Sequence, residues 1–177
     1  TGVRLMTFHA LCAWILRSEA PNVGVLPDFW IYDEEDALAL LIEIGVRDKG
    51  ALYELHHDAS LVPPGRATAE GYHSAEWSRR PWARRYVAAL NDRGAVDFAG
   101  LVLLARAALA SEPARSRWAQ RFDLVSVDEL QDTHLSEYEV LRCLAVQARS
   151  LCLAGDLDQT IYGWRGSEPR LLIEHVE

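Results

Sequence analysis

Two short stretches concentrate the side chains able to do chemistry. The first is FDLVSVDELQDT (122–133), an apolar run closed by two carboxylates, Asp128 and Glu129, with Gln131, Asp132 and Thr133 behind them. The second is LAGDLDQTIYGWRG (153–166), in which Asp156, Asp158 and the amide of Gln159 are followed at once by Tyr162, Trp164 and Arg165. An apolar strand ending in Asp-Glu is how phosphoryl-transfer enzymes place one carboxylate near Mg²⁺ and another near the attacking water. On that reading Asp128 holds the metal through water, and Glu129 orients or deprotonates the nucleophile. The plainer alternative is that the two acids only cap a strand and its turn; Gln131, Asp132 and Thr133 count against it. In the second stretch Tyr162 and Trp164 are alternate residues, which project to one side of an extended segment. Base stacking on an aromatic side chain contributes roughly 1–3 kcal/mol and tolerates any sequence.

These groups need elements to position them. Residues 124–127 and 150–154 are short apolar runs with polar tips, and Ser136 with Glu139 reads as a capping box opening a helix to about residue 146. Strand, helix, strand is a βαβ unit and implies a parallel pair, with ligands at the carboxyl ends of the strands. Upstream, residues 3–8 predict a strand running into a helix over 10–17, and 21–27 a loop. Apolar spacing after an acidic first turn predicts a helix over 33–46. Residues 56–72, with Pro63, Pro64, Gly65 and Gly71, predict a loop. A helix over 77–91 carries Trp82, Tyr86, Val87 and Leu90 on one face, and Asp97 caps an apolar helix over 98–110.

Composition bounds the possibilities. The chain has 177 residues, half of them hydrophobic, enough for a sizeable core. No apolar run approaches the roughly 20 residues of a membrane span. Cys12, Cys143 and Cys152 have neither even count nor C-x-x-C spacing, which points to reduced thiols and an intracellular setting. The net charge of −8 is unevenly spread. Residues 59–121 carry five acids and ten bases, between acidic flanks with ten acids and two bases (19–58) and eleven acids and four bases (122–177). A local polyanion site is compatible with that pattern. SRRPWARRY (78–86) can grip phosphates or present a solvated helix face, and His56-His57-Asp58 can ligate a metal or form a surface turn. Trp14, Trp30, Trp77 and Trp118 read as structural.

DELQDT followed after one helix by AGDLDQTIYGWRGS closely resembles motifs II and III of the UvrD/Rep family of superfamily 1 DNA helicases. TFHALCAWILR (7–17), AVDFAGLVLLARA (95–107) and RFDLVSVDE (121–129) resemble further family segments, in the same order. The resemblance implies an α/β fold: a partial RecA-like P-loop NTPase parallel sheet with a mostly helical inserted subdomain. It implies domain 1A over 1–19 and 96–177, and the insertion 1B over 20–95. It implies a cytoplasmic, ATP- and Mg²⁺-dependent motor on single-stranded DNA and its junctions with duplex, of 3′→5′ polarity. By the same resemblance Asp128 and Glu129 take the metal and water roles, Gln159 senses the γ-phosphate, and Gln131 couples the ATP site to DNA. Tyr162, Trp164, Arg165, Thr7, Phe8 and His9 fall on DNA-contact segments. Leu130 stands where the family often has phenylalanine, and Leu157 where an acid is common; neither change removes a catalytic group.

A phosphate loop needs G-x-x-x-x-G-K-[ST], and the sole lysine, Lys49, lies between Asp48 and Gly50. The expectation is therefore a piece of a motor protein, inactive alone and prone to self-association through uncovered apolar sheet faces. Two alternatives stand beside it: a subunit of a helicase–nuclease complex, and a non-catalytic DNA-binding module.

Overall fold

The computed structural model describes residues 2–48, 50–63 and 65–159. Helices dominate: α1 (Phe8–Val23), α2 (Glu34–Glu43), α3 (Ala51–Ser60), α4 (Ala69–His73), α5 (Ala83–Asp92), α6 (Phe98–Ala110), α7 (Glu112–Ala119) and α8 (Leu135–Ala145). Four short strands, β1 (Trp30–Tyr32), β2 (Ala95–Asp97), β3 (Leu124–Val127) and β4 (Ser150–Leu153), form two parallel pairs, β1 with β2 and β3 with β4. The result is mixed α/β. Among the described residues no helix is long and apolar enough to cross a membrane.

The organising element is α6. Its sequence FAGLVLLARAALA is apolar on all sides, so it is buried almost throughout and packs on α1, α3, α4, α7 and α8. Asp97 starts it as expected: its Oδ1 accepts from Gly100 N at 2.8 Å, while Oδ2 accepts from the Tyr86 hydroxyl at 2.9 Å. Gly100 is required there, because a Cβ would lie 2.5 Å from the Tyr72 hydroxyl.

The βαβ unit is present. β3 and β4 pair in parallel from Leu124↔Ser150 to Val127↔Leu153, with α8 as the crossover. Its cap lies two residues earlier than the sequence suggests. His134 is the N-cap and its N–H donates to Glu137 Oε2 at 3.0 Å, whereas Ser136 is buried and Glu139 turns away to Arg106.

Other expectations change. Residues 2–7 form no strand; Val3 and Leu5 are fully exposed, with no partner strand beside them among the described residues. Helix α1 runs to Val23 through Pro21, and Gly24 ends it in the left-handed region at φ 73°. The segment 56–72 is helical at both ends, where α3 covers its beginning and α4 its end, while the described residues between Leu61 and Thr68 form the irregular connection expected. Leu52, Leu55 and Ala59 supply an apolar face that the following prolines and glycines obscured. Helix α5 starts at Ala83, since Pro81 precedes it, and buries Tyr86, Val87 and Leu90 as expected. Of the four tryptophans read as structural, Trp118 is buried, but Trp30 is 73% exposed and serves through its backbone.

Candidate functional site

The two chemistry-bearing stretches meet at the carboxyl ends of β3 and β4. The pairing continues past the strands: Ala154 N donates to Val127 O at 2.8 Å and Leu130 N to Ala154 O at 3.0 Å. These bonds set the tip of one strand against the other. Asp128 is exposed, and its Oδ1 accepts from Glu129 N at 3.0 Å. Glu129 sits in the left-handed region at φ 54°, an uncommon conformation for a side chain of this size and a local strain that turns the chain into the 3₁₀ turn Leu130–Asp132.

Gln131 is the hinge pin of this arrangement. It is 1% exposed; its Nε2 donates to Glu129 Oε2 at 2.6 Å and its Oε1 accepts from Asp156 N at 3.0 Å. One buried amide thus bonds a carboxylate of the first stretch and the backbone that opens the second. Asp156 is a loop cap: Oδ1 accepts from Asp158 N at 2.9 Å and Oδ2 from Gln159 Nε2 at 2.7 Å. Beneath the turn, Val127, Leu130, Tyr138 and Leu141 form a small apolar cluster of their own.

The segment Thr7–His9 converges on the same region. Thr7 caps α1, its hydroxyl accepting from Ala10 N at 3.2 Å. Phe8 packs on the apolar cluster beneath Asp128 and Glu129, and His9 lies on Phe98 with ring centroids 4.7 Å apart. Burial lowers the His9 pKa; His56 and His134 add to that, and Glu137 and Asp97 oppose it. Tyr162, Trp164 and Arg165 lie outside the described residues.

The exposed Asp128 carboxylate is a hard oxygen donor of the kind Mg²⁺ takes, with waters completing its shell. Asp132 Oδ1 is also buried there without a hydrogen-bond partner among the described residues. Asp128 alone therefore offers an open carboxylate that a water-mediated Mg²⁺ contact fits. The phosphate-cradling loop is not encoded in these 177 residues.

The remaining candidates resolve into structure. His56, His57 and Asp58 lie on α3 and not in a turn. Asp58 is buried and accepts from Ser78 Oγ at 2.7 Å and Arg79 N at 3.2 Å, with Arg80 3.5 Å away. Arg79, Arg84 and Arg85 stay exposed. Cys12 is buried, Cys143 half-buried and Cys152 exposed, all as free thiols.

Two polar knots escaped the sequence reading. Arg106, the one charge in α6, bonds Val62 O at 2.8 Å and Pro63 O at 3.0 Å and pairs with Glu139. A lone arginine in an apolar helix was its visible signal. Buried Glu19 accepts from both Arg117 and Trp118 Nε1, nearly a hundred residues away, and nothing local marks it.

A parallel βαβ unit with paired carboxylates at one strand tip, bound through a buried amide to the tip of the next, defines a domain of the mixed α/β class. The family model described as UvrD/REP helicase N-terminal domain matches residues 1–176, and the chain belongs to that family. It is 32% identical over 182 residues to the ATP-dependent DNA helicase Rep of Escherichia coli (strain K12), covering 97% of this chain and 27% of that protein. To Rep of Buchnera aphidicola subsp. Baizongia pistaciae it is 30% identical over 172 residues, covering 93% of this chain and 26% of the relative. To the ATP-dependent DNA helicase PcrA of Staphylococcus epidermidis it is 27% identical over 186 residues, covering 98% and 25%. The chain thus spans about a quarter of the length of these relatives.

Proposed function

We propose that this domain is part of an ATP-dependent DNA helicase or translocase, moving 3′→5′ on single-stranded DNA and acting at its junctions with duplex. In this reading residues 1–19 and 96–177 belong to a RecA-like motor domain 1A, and 20–95 to its insertion 1B. The observation that carries the proposal is the Gln131 amide, bonded at one end to Glu129 and at the other to the Asp156 N–H. It supports a direct mechanical link between the hydrolytic turn and the stretch leading to Tyr162, Trp164 and Arg165.

ATP with Mg²⁺ supplies the reactive phosphoryl group and neutralises its charge. The chain's own residues do the rest. Asp128 is the residue that would hold Mg²⁺, through water. Glu129 holds the attacking water and accepts its proton, its carboxylate aimed by Gln131. Gln159, at the end of the next loop, contacts the γ-phosphate, and any shift there reaches the DNA side through a few residues of backbone. Tyr162 and Trp164 stack on bases, Arg165 meets the phosphate backbone, and Thr7, Phe8 and His9 extend the contact. Such proximity of two sites lets one ligand bias the grip on the other.

Two substitutions in the natural-length protein test this. Glu129→Gln is expected to lower DNA-stimulated ATP turnover about 10²–10⁴-fold, the usual contribution of a positioned base, with nucleotide binding retained. Trp164→Ala is expected to impair DNA stimulation more than basal ATP binding; equal loss of both would overturn the stacking role. The 177-residue chain by itself is expected to hydrolyse no ATP, since it encodes no phosphate loop.

A further inference from the structure

A hollow of about 320 Å³ opens between the end of α3, α4 and the chain that follows α4, with Leu103 of α6 and Tyr72 of α4 buried in its lining. Two of its walls, around Val62 and around Ser78, are irregular chain, yet side chains tie each of them down. Arg106 of α6 donates to Val62 O at 2.8 Å and Pro63 O at 3.0 Å. Buried Asp58 accepts from Ser78 Oγ at 2.7 Å and Arg79 N at 3.2 Å. Trp77 Nε1 donates to Tyr72 O at 3.2 Å, and the two rings lie within 5° of parallel with centroids 6.2 Å apart. A concave surface fixed in this way loses little freedom when it is filled.

The lining divides by chemistry. Leu103, Tyr72, Ala67 and Val62 are apolar, and Leu61 beside them is 63% exposed. The volume lies at the lower end of the range for ligand pockets, about 300–1,000 Å³, and has room for one large apolar side chain. Arg66 and Arg79 also line it, both exposed and in no ion pair among the described residues. Against these two cations stands one exposed acid, Glu76, since the Asp58 carboxylate is already taken by Ser78 and the Arg79 N–H. The surplus of positive charge agrees with the ten bases and five acids of residues 59–121. A phosphate backbone gains from the arginines but meets Glu76 and leaves the apolar floor unused. A basic segment is repelled by both arginines. A chain with one large apolar side chain set among carboxylates uses the floor and the charges together.

We propose that this hollow docks an acidic segment of a partner protein, one leucine or phenylalanine side chain entering it and the flanking carboxylates meeting Arg66 and Arg79. The inference goes beyond the ATP and DNA reading above and does not depend on it, because none of the residues it uses belongs to the DELQDT turn or to the segments assigned to DNA.

Fluorescein-labelled nonapeptides test this by anisotropy on the natural-length protein: one with phenylalanine at its centre and aspartates on either side, the other with alanine at the centre. The phenylalanine peptide is expected to bind, and the alanine peptide to bind about 10–100-fold more weakly, as burial of one aromatic side chain predicts. Arg66→Glu combined with Arg79→Glu is expected to weaken the phenylalanine peptide about tenfold or more, since like charges then face each other, with the melting temperature unchanged. A peptide carrying benzoylphenylalanine at its centre, irradiated in the complex, is expected to attach within residues 58–79 or to α6. No binding of the phenylalanine peptide, equal binding of the two peptides, or attachment elsewhere overturns the proposal. Unchanged peptide binding by the double variant overturns it as well, and a loss of duplex DNA binding in that variant then makes the two arginines a DNA contact instead. Should the double variant fail to fold, the two peptides and the photoproduct decide, since both use the unaltered protein.

Discussion

Gln131 and His9 show how much a single side chain's surroundings decide. Gln131 is buried with both ends of its amide in use, so removing it breaks both bonds at once. Gln131→Leu is expected to cost about 1–3 kcal/mol in chemical denaturation, the loss of two hydrogen bonds at about 0.5–1.5 kcal/mol each. In the natural-length protein it is also expected to lower DNA-stimulated turnover while leaving nucleotide binding in place. His9 gives a pH dependence of known sign. Burial, with His56 and His134, lowers its pKa below the usual histidine value of about 6.5. The unfolded chain then binds the proton more readily than the folded one, so stability falls as pH drops from that value towards the lowered one. Thermal melts from pH 7 to pH 5 should show this loss, and His9→Gln should flatten that part of the profile. Little of this was legible beforehand. DELQDT identified Gln131 as a coupling residue, but its bonding to Asp156 N depends on two strand tips 25 residues apart being adjacent.

At the scale of elements, α6 depends on two polar anchors. Asp97 caps its start and accepts from Tyr86, and Asp97→Ala removes both bonds. The expected cost is about 2–4 kcal/mol, a lost cap plus an unsatisfied buried hydroxyl, read as a shifted denaturation midpoint. Near its far end Arg106 pairs with Glu139 of α8 and holds the carbonyls of Val62 and Pro63, while Glu139 Oε1 accepts from Gly65 N at 3.1 Å. Arg106→Met is expected to cost about 3–5 kcal/mol, the loss seen when one partner of a buried ion pair is removed. Faster amide exchange at Gly65 should accompany it. The cap was plain from Asp97 standing before an apolar run. The ion pair was not, because its members are 33 positions apart and Glu139 reads as a local helix cap. The missed helix α3 has a different cause. Proline and glycine after it drew the loop reading backwards over residues whose apolar spacing was helical.

For the whole molecule, the expectation concerns uncovered apolar surface. Leu124 on β3 is 60% exposed and Leu151 on β4 42% exposed, and Val3 and Leu5 project fully into solvent. A two-stranded parallel pair with apolar residues outward is an unusual free surface, since parallel sheets normally have both faces covered. The 177-residue chain is therefore expected to self-associate, with a mass in light scattering that rises with concentration. A constant monomeric mass would count against this. The family is consistent with the sequence order of the motifs, and the family match over residues 1–176 agrees with it.

By itself the sequence determined the local chemistry: which strands end in carboxylates, which residue caps α6, where the acids and the amide stand, and to which family the chain belongs. Those features are short-range, written in apolar runs, caps and contiguous motifs. Only the tertiary structure decided what meets what. It placed Gln131 between Glu129 and Asp156, Glu19 under Trp118, and Arg106 on Glu139. Each of those contacts joins residues brought close by packing around α6 or by the parallel pairing of β3 with β4. No local pattern of residues encodes such a partner, because burial and strand register select it only when the chain closes on itself.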